Sequence, residues 1–210
     1  DVYKRQGYTF SLINVGISLP KVPNNLWVSR VTASQYKEGR VFATLNGYRF
    51  DDFTPYLFVS EDYGTTWKQI GTDLPAEPLN VVKEDPKKEN IIYIGSDNGL
   101  YTSFDLGKSF MSMGLNLPRV PIHDVAIQQR DNELVLGTHG RSIYITSLDS
   151  VQKVYDKQQK MLQMKASLKT FDPKQMNEGD IAIDCPPAKA PKRKKKMIAI
   201  DVVSKTIPLK

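Results

Sequence analysis

Ser60-Glu61-Asp62-Tyr63-Gly64-Thr65-Thr66-Trp67 and Ser103-Phe104-Asp105-Leu106-Gly107-Lys108-Ser109-Phe110 both fit S-x-D-x-G-x-[ST]-[WF], and they stand 43 residues apart. Leu74-Pro75 and Leu117-Pro118 repeat at the same offset of 43, and Gly95 and Gly137, each closing an apolar run, stand 42 apart. Short strands at a period of about 40–45 residues are the signature of propeller blades with four strands each.

The blades read outward from these motifs. The innermost strands are Trp27–Thr32, Leu79–Val82 and His123–Ile127. Second strands follow at Arg40–Thr44, Ile91–Gly95 and Glu133–Gly137, and third strands at Tyr56–Val59, Leu100–Ser103 and Ser142–Thr146. These runs are rich in β-branched and aromatic residues and are bounded by Gly, Pro, Asn and Asp. Each Asp motif then turns the chain into an outer strand, Trp67–Ile70 or Phe110–Ser112. The third unit has no such motif, so it lacks a fourth strand. Propellers close by borrowing a strand from the other terminus, which removes open sheet edges. The missing strand is therefore expected upstream, and Leu12–Ile17 is expected to be the outer strand of a preceding blade.

The motif residues have physical roles. Asp62 and Asp105 are positioned to accept N–H groups of their own turns. Gly64 and Gly107 are free to take positive φ. Ser60 and Ser103 bond locally, and Trp67 and Phe110 pack into the sheet interface. One carboxylate per turn is too few ligands for calcium, which takes six to eight oxygens, so the Asp turns are expected to be structural. With one cysteine and two histidines in the chain, no metal site and no cofactor is expected.

Composition separates body from tail. Residues 1–150 hold 15 basic and 17 acidic side chains, a net of −2, whereas residues 151–210 hold 14 and 6, a net of +8. The high pI therefore describes the tail. No apolar run approaches the roughly 20 residues of a membrane-spanning helix. The domain reading is blades over 7–148, a helical tail over 149–170, a linker over 171–196 with the basic run Lys192–Lys196, and a further strand or domain from 197 to 210. Residues 1–6 read like a translated sequencing adaptor, which puts the natural start upstream. Val151, Val154, Tyr155, Gln158 and Leu162 fall at helical spacing, with Asp149 or Ser150 as cap. The basic run has no interleaved aromatics and no accompanying nucleic-acid motif, so a solvated linker is expected and no specific nucleic-acid partner. Cys185 shows no activating surroundings.

Asn46-Gly47-Tyr48-Arg49-Phe50-Asp51-Asp52-Phe53-Thr54-Pro55-Tyr56-Leu57 before the first Asp box, and Gly137-Thr138-His139-Gly140-Arg141-Ser142 in the last blade, add a resemblance. Together with the Asp boxes they resemble the C-terminal blades of bacterial BNR/Asp-box repeat propellers, which are often labelled glycosyl hydrolases and are related to the sortilin propellers. The resemblance covers residues 7–170. It implies an all-β partial propeller of about three blades. It also implies a secreted or envelope location, and further blades of the same full-length chain as partners.

The turns between second and third strands lie on the face opposite the Asp boxes, where propeller ligands enter near the axis. This face gathers Arg49, Asp51, Asp52, Asp97, Asn98, His139 and Arg141, with Arg119, His123 and Asp124 from blade connections. Three functions follow as expectations. The first is a non-catalytic scaffold that binds glycan or protein. The second is part of a glycoside hydrolase, xyloglucanase-like or sialidase-like, with Asp51 or Asp52 as one carboxylate and its partner on other blades. The third is a sortilin-like ring around a peptide. His123-Asp124 offers a candidate imidazole–carboxylate pair, but no motif supplies the serine, so no hydrolytic triad is expected.

Overall fold

Among the described residues, eleven short strands form three antiparallel sheets, each a meander in sequence order. The structure is a computed structural model that describes residues 22–23, 26–114 and 117–169. The sequence-level expectations for 1–6, Leu12–Ile17, Cys185, Lys192–Lys196 and 197–210 lie outside the described residues. The first blade contains β1 (Trp27–Ala33), β2 (Val41–Gly47), β3 (Asp52–Ser60) and β4 (Lys68–Ile70). The second contains β5 (Leu79–Glu84), β6 (Ile92–Ser96), β7 (Gly99–Ser103) and β8 (Met111–Met113). The third has β9 (Ile122–Gln128), β10 (Glu133–Thr138) and β11 (Ile143–Ser147), and no fourth strand among the described residues. A helix, α1 (Asp149–Lys169), follows directly. The described residues are thus mostly β, a partial propeller of three blades followed by α1.

Period-two alternation assembles the stack. In β6, Ile92 and Ile94 face the first blade, in a cluster with Phe42, Leu57, Leu74, Leu79 and Val82. Tyr93, between them, faces the third blade with Ile122, Val125, Leu134 and Leu136. Both faces of β6 are covered, so it reads as a continuous apolar run rather than an alternating one. The first blade has a second buried face, Ala43, Leu45, Tyr56 and Phe58, against which Trp67 packs. Across the inner edge of β5, the hydroxyls of Ser29 and Thr32 donate to the carbonyls of Leu79 and Val82 at 2.7 and 2.9 Å. A backbone edge facing the axis is thereby satisfied.

The two Asp boxes fold alike. Asp62 Oδ1 accepts from Ser60 Oγ and Thr66 N, both at 2.8 Å, and its Oδ2 accepts from Thr66 Oγ1 at 2.6 Å. Asp105 repeats the pattern with Ser103 and Ser109 at 2.8, 2.9 and 2.6 Å. The residues before and at each glycine are both left-handed: Tyr63 and Gly64 at φ 59° and 85°, Leu106 and Gly107 at 58° and 82°. Gly107 also admits the first blade, because a Cβ there would sit 2.6 Å from Ile70 Cδ1. The box is therefore a blade-to-blade contact as well as a turn.

Hydrogen bonds from Thr66, with that of Ser60, hold the Asp62 carboxyl down at about 2. A depressed carboxyl adds stability that is complete above its unfolded value of about 4 and is lost as pH falls through the folded one. Asp62→Ala is therefore expected to melt below the wild type at pH 7, with the gap closing between about pH 4 and pH 2. Melting curves across that range test this; a gap independent of pH would contradict it.

Three expectations need correction. β3 begins at Asp52, four residues before Tyr56, because Gly47 pairs with Asp52 and leaves only Tyr48–Phe50 as a tight 3-10 turn closed by Asp51 at φ 55°. Leu162 lies on the expected apolar stripe of α1 but is 51% exposed. Only the first turns dock: Val151 is buried, Val154 and Tyr155 pack beside it, and Tyr155 meets Phe104 edge-on at 5.8 Å between centroids. The start of α1 is also held differently, with the Ser147 hydroxyl accepting from Asp149 N at 3.2 Å. The Asp149 carboxylate instead accepts from Asn132 Nδ2 at 2.5 Å.

Candidate functional site

Each innermost strand carries one irregularity at the same place. Pairing slips between Val28 and Arg30, between Leu79 and Val81, and opposite the Gly137/Thr138 step, leaving Ser29, Asn80 and His123 as the extra residues. A β-bulge turns the side chain of its extra residue away from the regular pleat. Here the three bulged residues, one per blade, line a single cleft. Asn80 and His123 are 43 residues apart, the same offset as the Asp boxes.

The cleft lies on the face opposite the Asp boxes and has a volume of about 550 Å³. Trp27, Val28, Asn46, Tyr48, Arg49, Asp97, Pro121 and His139 complete its lining. A relay of amides crosses its floor: Asn46 Nδ2 donates to Asn80 Oδ1 at 2.9 Å, and Asn80 Nδ2 donates to Asp97 Oδ1 at 2.8 Å. Asn80 is buried to 7% exposure, so this relay fixes the spacing between the first two blades. His139 is anchored by its backbone N–H on the Pro121 carbonyl at 2.9 Å. Its ring lies 5.2 Å from that of His123, tilted by 42°. The Arg49 guanidinium lies over the Trp27 indole, 4.2 Å from its centroid.

The expected constellation is thus divided. Arg49, Asp97, His123 and His139 meet in the cleft. Asp52 does not join them: its carboxylate accepts from Thr54 N at 3.0 Å and Tyr56 Oη at 2.8 Å. Burial raises this carboxyl, but the Thr54 and Tyr56 hydrogen bonds outweigh it and leave it below the ordinary value. Asp51 closes the 3-10 turn. Asn98 and Arg119 line a separate groove with Glu77 and Tyr101. Asp124 pairs with Arg30 across the axis at 2.6 Å, joining first and third blades. Arg141 is exposed and does not line the cleft. Among the described residues, no cluster of three or more His, Cys, Asp or Glu is placed to hold a metal, and no helix is long and apolar enough to cross a membrane.

Sequence reasoning missed Trp27, Ser29, Asn46 and Asn80. The 43-residue offset linking Asn80 to His123 was the available signal. Bulges, however, arise from strand pairing and leave no local mark in the chain.

No family model and no curated protein matches the sequence. Solved structures similar to this chain include an ancestral GH74 enzyme, at 16% identity and a TM-score of 0.47, over 57% of this chain and 16% of that one. They also include the GH74 enzyme of Niastella koreensis, at 17% identity and a TM-score of 0.45, over 56% of this chain and 19% of that one. The chain thus spans less than a fifth of either enzyme.

Proposed function

We propose that this chain is the binding and scaffold portion of a larger propeller, and that the cleft opposite the Asp boxes holds a glycan or protein ligand. The observation that carries this is the convergence of Ser29, Asn80 and His123, one bulged residue from each blade, on one cleft. Concave sites with a few convergent polar groups on an apolar wall are the common form of ligand pockets, and this volume falls within their range. Glycoside hydrolysis normally needs two carboxyl groups about 5–10 Å apart. Asp97 is the one carboxylate among the cleft-lining residues, and one of its oxygens is occupied by Asn80. This favours binding over catalysis by these blades. A hydrolase reading requires a second carboxylate from another blade. A secreted or envelope location belongs to the proposal and rests on the sequence resemblance alone.

The test is retention of the chain on immobilised glycans and peptides. His139→Ala and His123→Ala change exposed side chains, so folding should be preserved. Each is expected to cut retention by about fivefold or more, roughly one lost hydrogen bond. Unchanged retention in both would overturn the assignment of the cleft.

A further inference from the structure

The Arg49 guanidinium is the least committed group in the cleft. Among the described residues it meets no carboxylate and donates no hydrogen bond; it lies over the face of Trp27. A guanidinium has five N–H donors in a fixed plane, and stacking on an indole fixes that plane while leaving its edge free. The Tyr48–Phe50 turn, closed by left-handed Asp51, presents the arginine from the rim. The imidazoles of His123 and His139 likewise make no hydrogen bond among the described residues, and each supplies at least one ring donor. The acceptor side is small: Asp97 has one oxygen engaged by Asn80 and one left for a ligand. The cleft is therefore rich in donors. A partner that satisfies it must offer a planar anionic acceptor to Arg49 together with hydroxyl donors for Asp97.

We propose that the ligand is an acidic glycan, and that Arg49 grips the carboxylate of a uronic-acid residue. This rests on the cleft being the binding site, as proposed above. A carboxylate matches the guanidinium edge through two parallel charge-assisted hydrogen bonds. The ring hydroxyls of the same sugar reach Asp97 and the imidazoles. The C–H face of the ring lies on Tyr48, which is 59% exposed. A glycan fits better than a peptide because the lining presents side-chain amides, imidazoles and aromatic rings. On the central blade, two carbonyls of β5 that a peptide strand would pair with, Leu79 and Val82, already accept from Ser29 and Thr32.

The experiment uses the full chain on four immobilised probes: oligogalacturonate, its methyl ester, a neutral glucan oligosaccharide, and a peptide with a free C-terminus. Oligogalacturonate should be retained, and methyl esterification should weaken it by about tenfold or more, the worth of a charge-assisted bond. Arg49→Gln should bring the acid down to the level of the ester, and Arg49→Lys should restore part of the difference, since lysine keeps the charge but not the fork. Arg49 is exposed, so neither variant should disturb folding. Equal retention of acid and ester, or an unchanged preference in Arg49→Gln, would overturn the acidic-glycan assignment. Neutral glucan or peptide retained best, and lost in His139→Ala, would overturn that assignment while leaving the cleft standing. No retention on any probe would overturn both.

Discussion

Asp85→Ala is expected to destabilise the protein by about 3–5 kcal/mol, the largest effect of any side-chain truncation proposed here. The Asp85 carboxylate is fully buried. Its Oδ2 accepts from the Tyr93 hydroxyl at 2.7 Å, and both oxygens receive the Gln152 amide at 3.0 Å. Oδ1 also takes the N–H groups of Lys87 and Lys88 at 2.8 and 3.0 Å. Tyr93 is itself fully buried; burial, and then the charge of Asp85, push its hydroxyl far above the usual tyrosine value. The alanine variant leaves a buried hydroxyl and two turn N–H groups without their acceptor, and leaves the Gln152 amide nitrogen with Asn132 Oδ1 alone, at 3.4 Å. Each such orphan costs about 1–3 kcal/mol, reduced where water can enter. The same change removes one tie between α1 and the second blade, the Gln152–Asp85 contact, while Lys88–Asp156 and Asn90–Tyr155 remain. Urea unfolding monitored by circular dichroism measures the loss. A loss below about 1 kcal/mol would contradict the buried network's share in stability.

Gly95→Ala is expected to cost about 2–3 kcal/mol, while Gly137→Ala, at the corresponding place one blade later, should cost less than about 0.5 kcal/mol. A Cβ on Gly95 would stand 2.6 Å from Val81 Cγ1, 2.8 Å from Ile122 Cγ2 and 3.0 Å from the Ile122 carbonyl oxygen. Those atoms belong to β5 and β9, so the two innermost strands would have to separate. On Gly137 the nearest atom is Asp124 Cβ at 3.5 Å, an ordinary contact. Paired melting of the two variants measures the difference, and equal losses would contradict the packing of β9 against β5 and β6.

That pair shows how far the sequence could be read. The repeat identifies both glycines as equivalent, and it gives the order of the described blades and the positions of their strands. It cannot say that Gly95 is squeezed and Gly137 is not, because the difference lies in which blade covers each one. The same limit applies to the site. His139, Arg49 and Asp97 were legible because they occupy turns that the repeat assigns to one face. Ser29 and Asn80 were not, since a slip in pairing rather than a residue pattern aims them. Asp52 was misjudged as a turn residue because its pairing with Gly47 extends β3 beyond the run of apolar side chains. Leu162 matches a helical stripe, but the body ends before α1 does.

The proposed division between a structural face and a binding face is tested most directly by measuring melting temperature and glycan retention together on Asp62→Ala and His139→Ala. Asp62→Ala should lower melting at pH 7 and leave retention per folded molecule unchanged. His139→Ala should leave melting within about 2 °C of the wild type and reduce retention by about fivefold or more. If Asp62→Ala loses retention at unchanged melting, or His139→Ala melts early and binds normally, the two faces have been assigned the wrong way round.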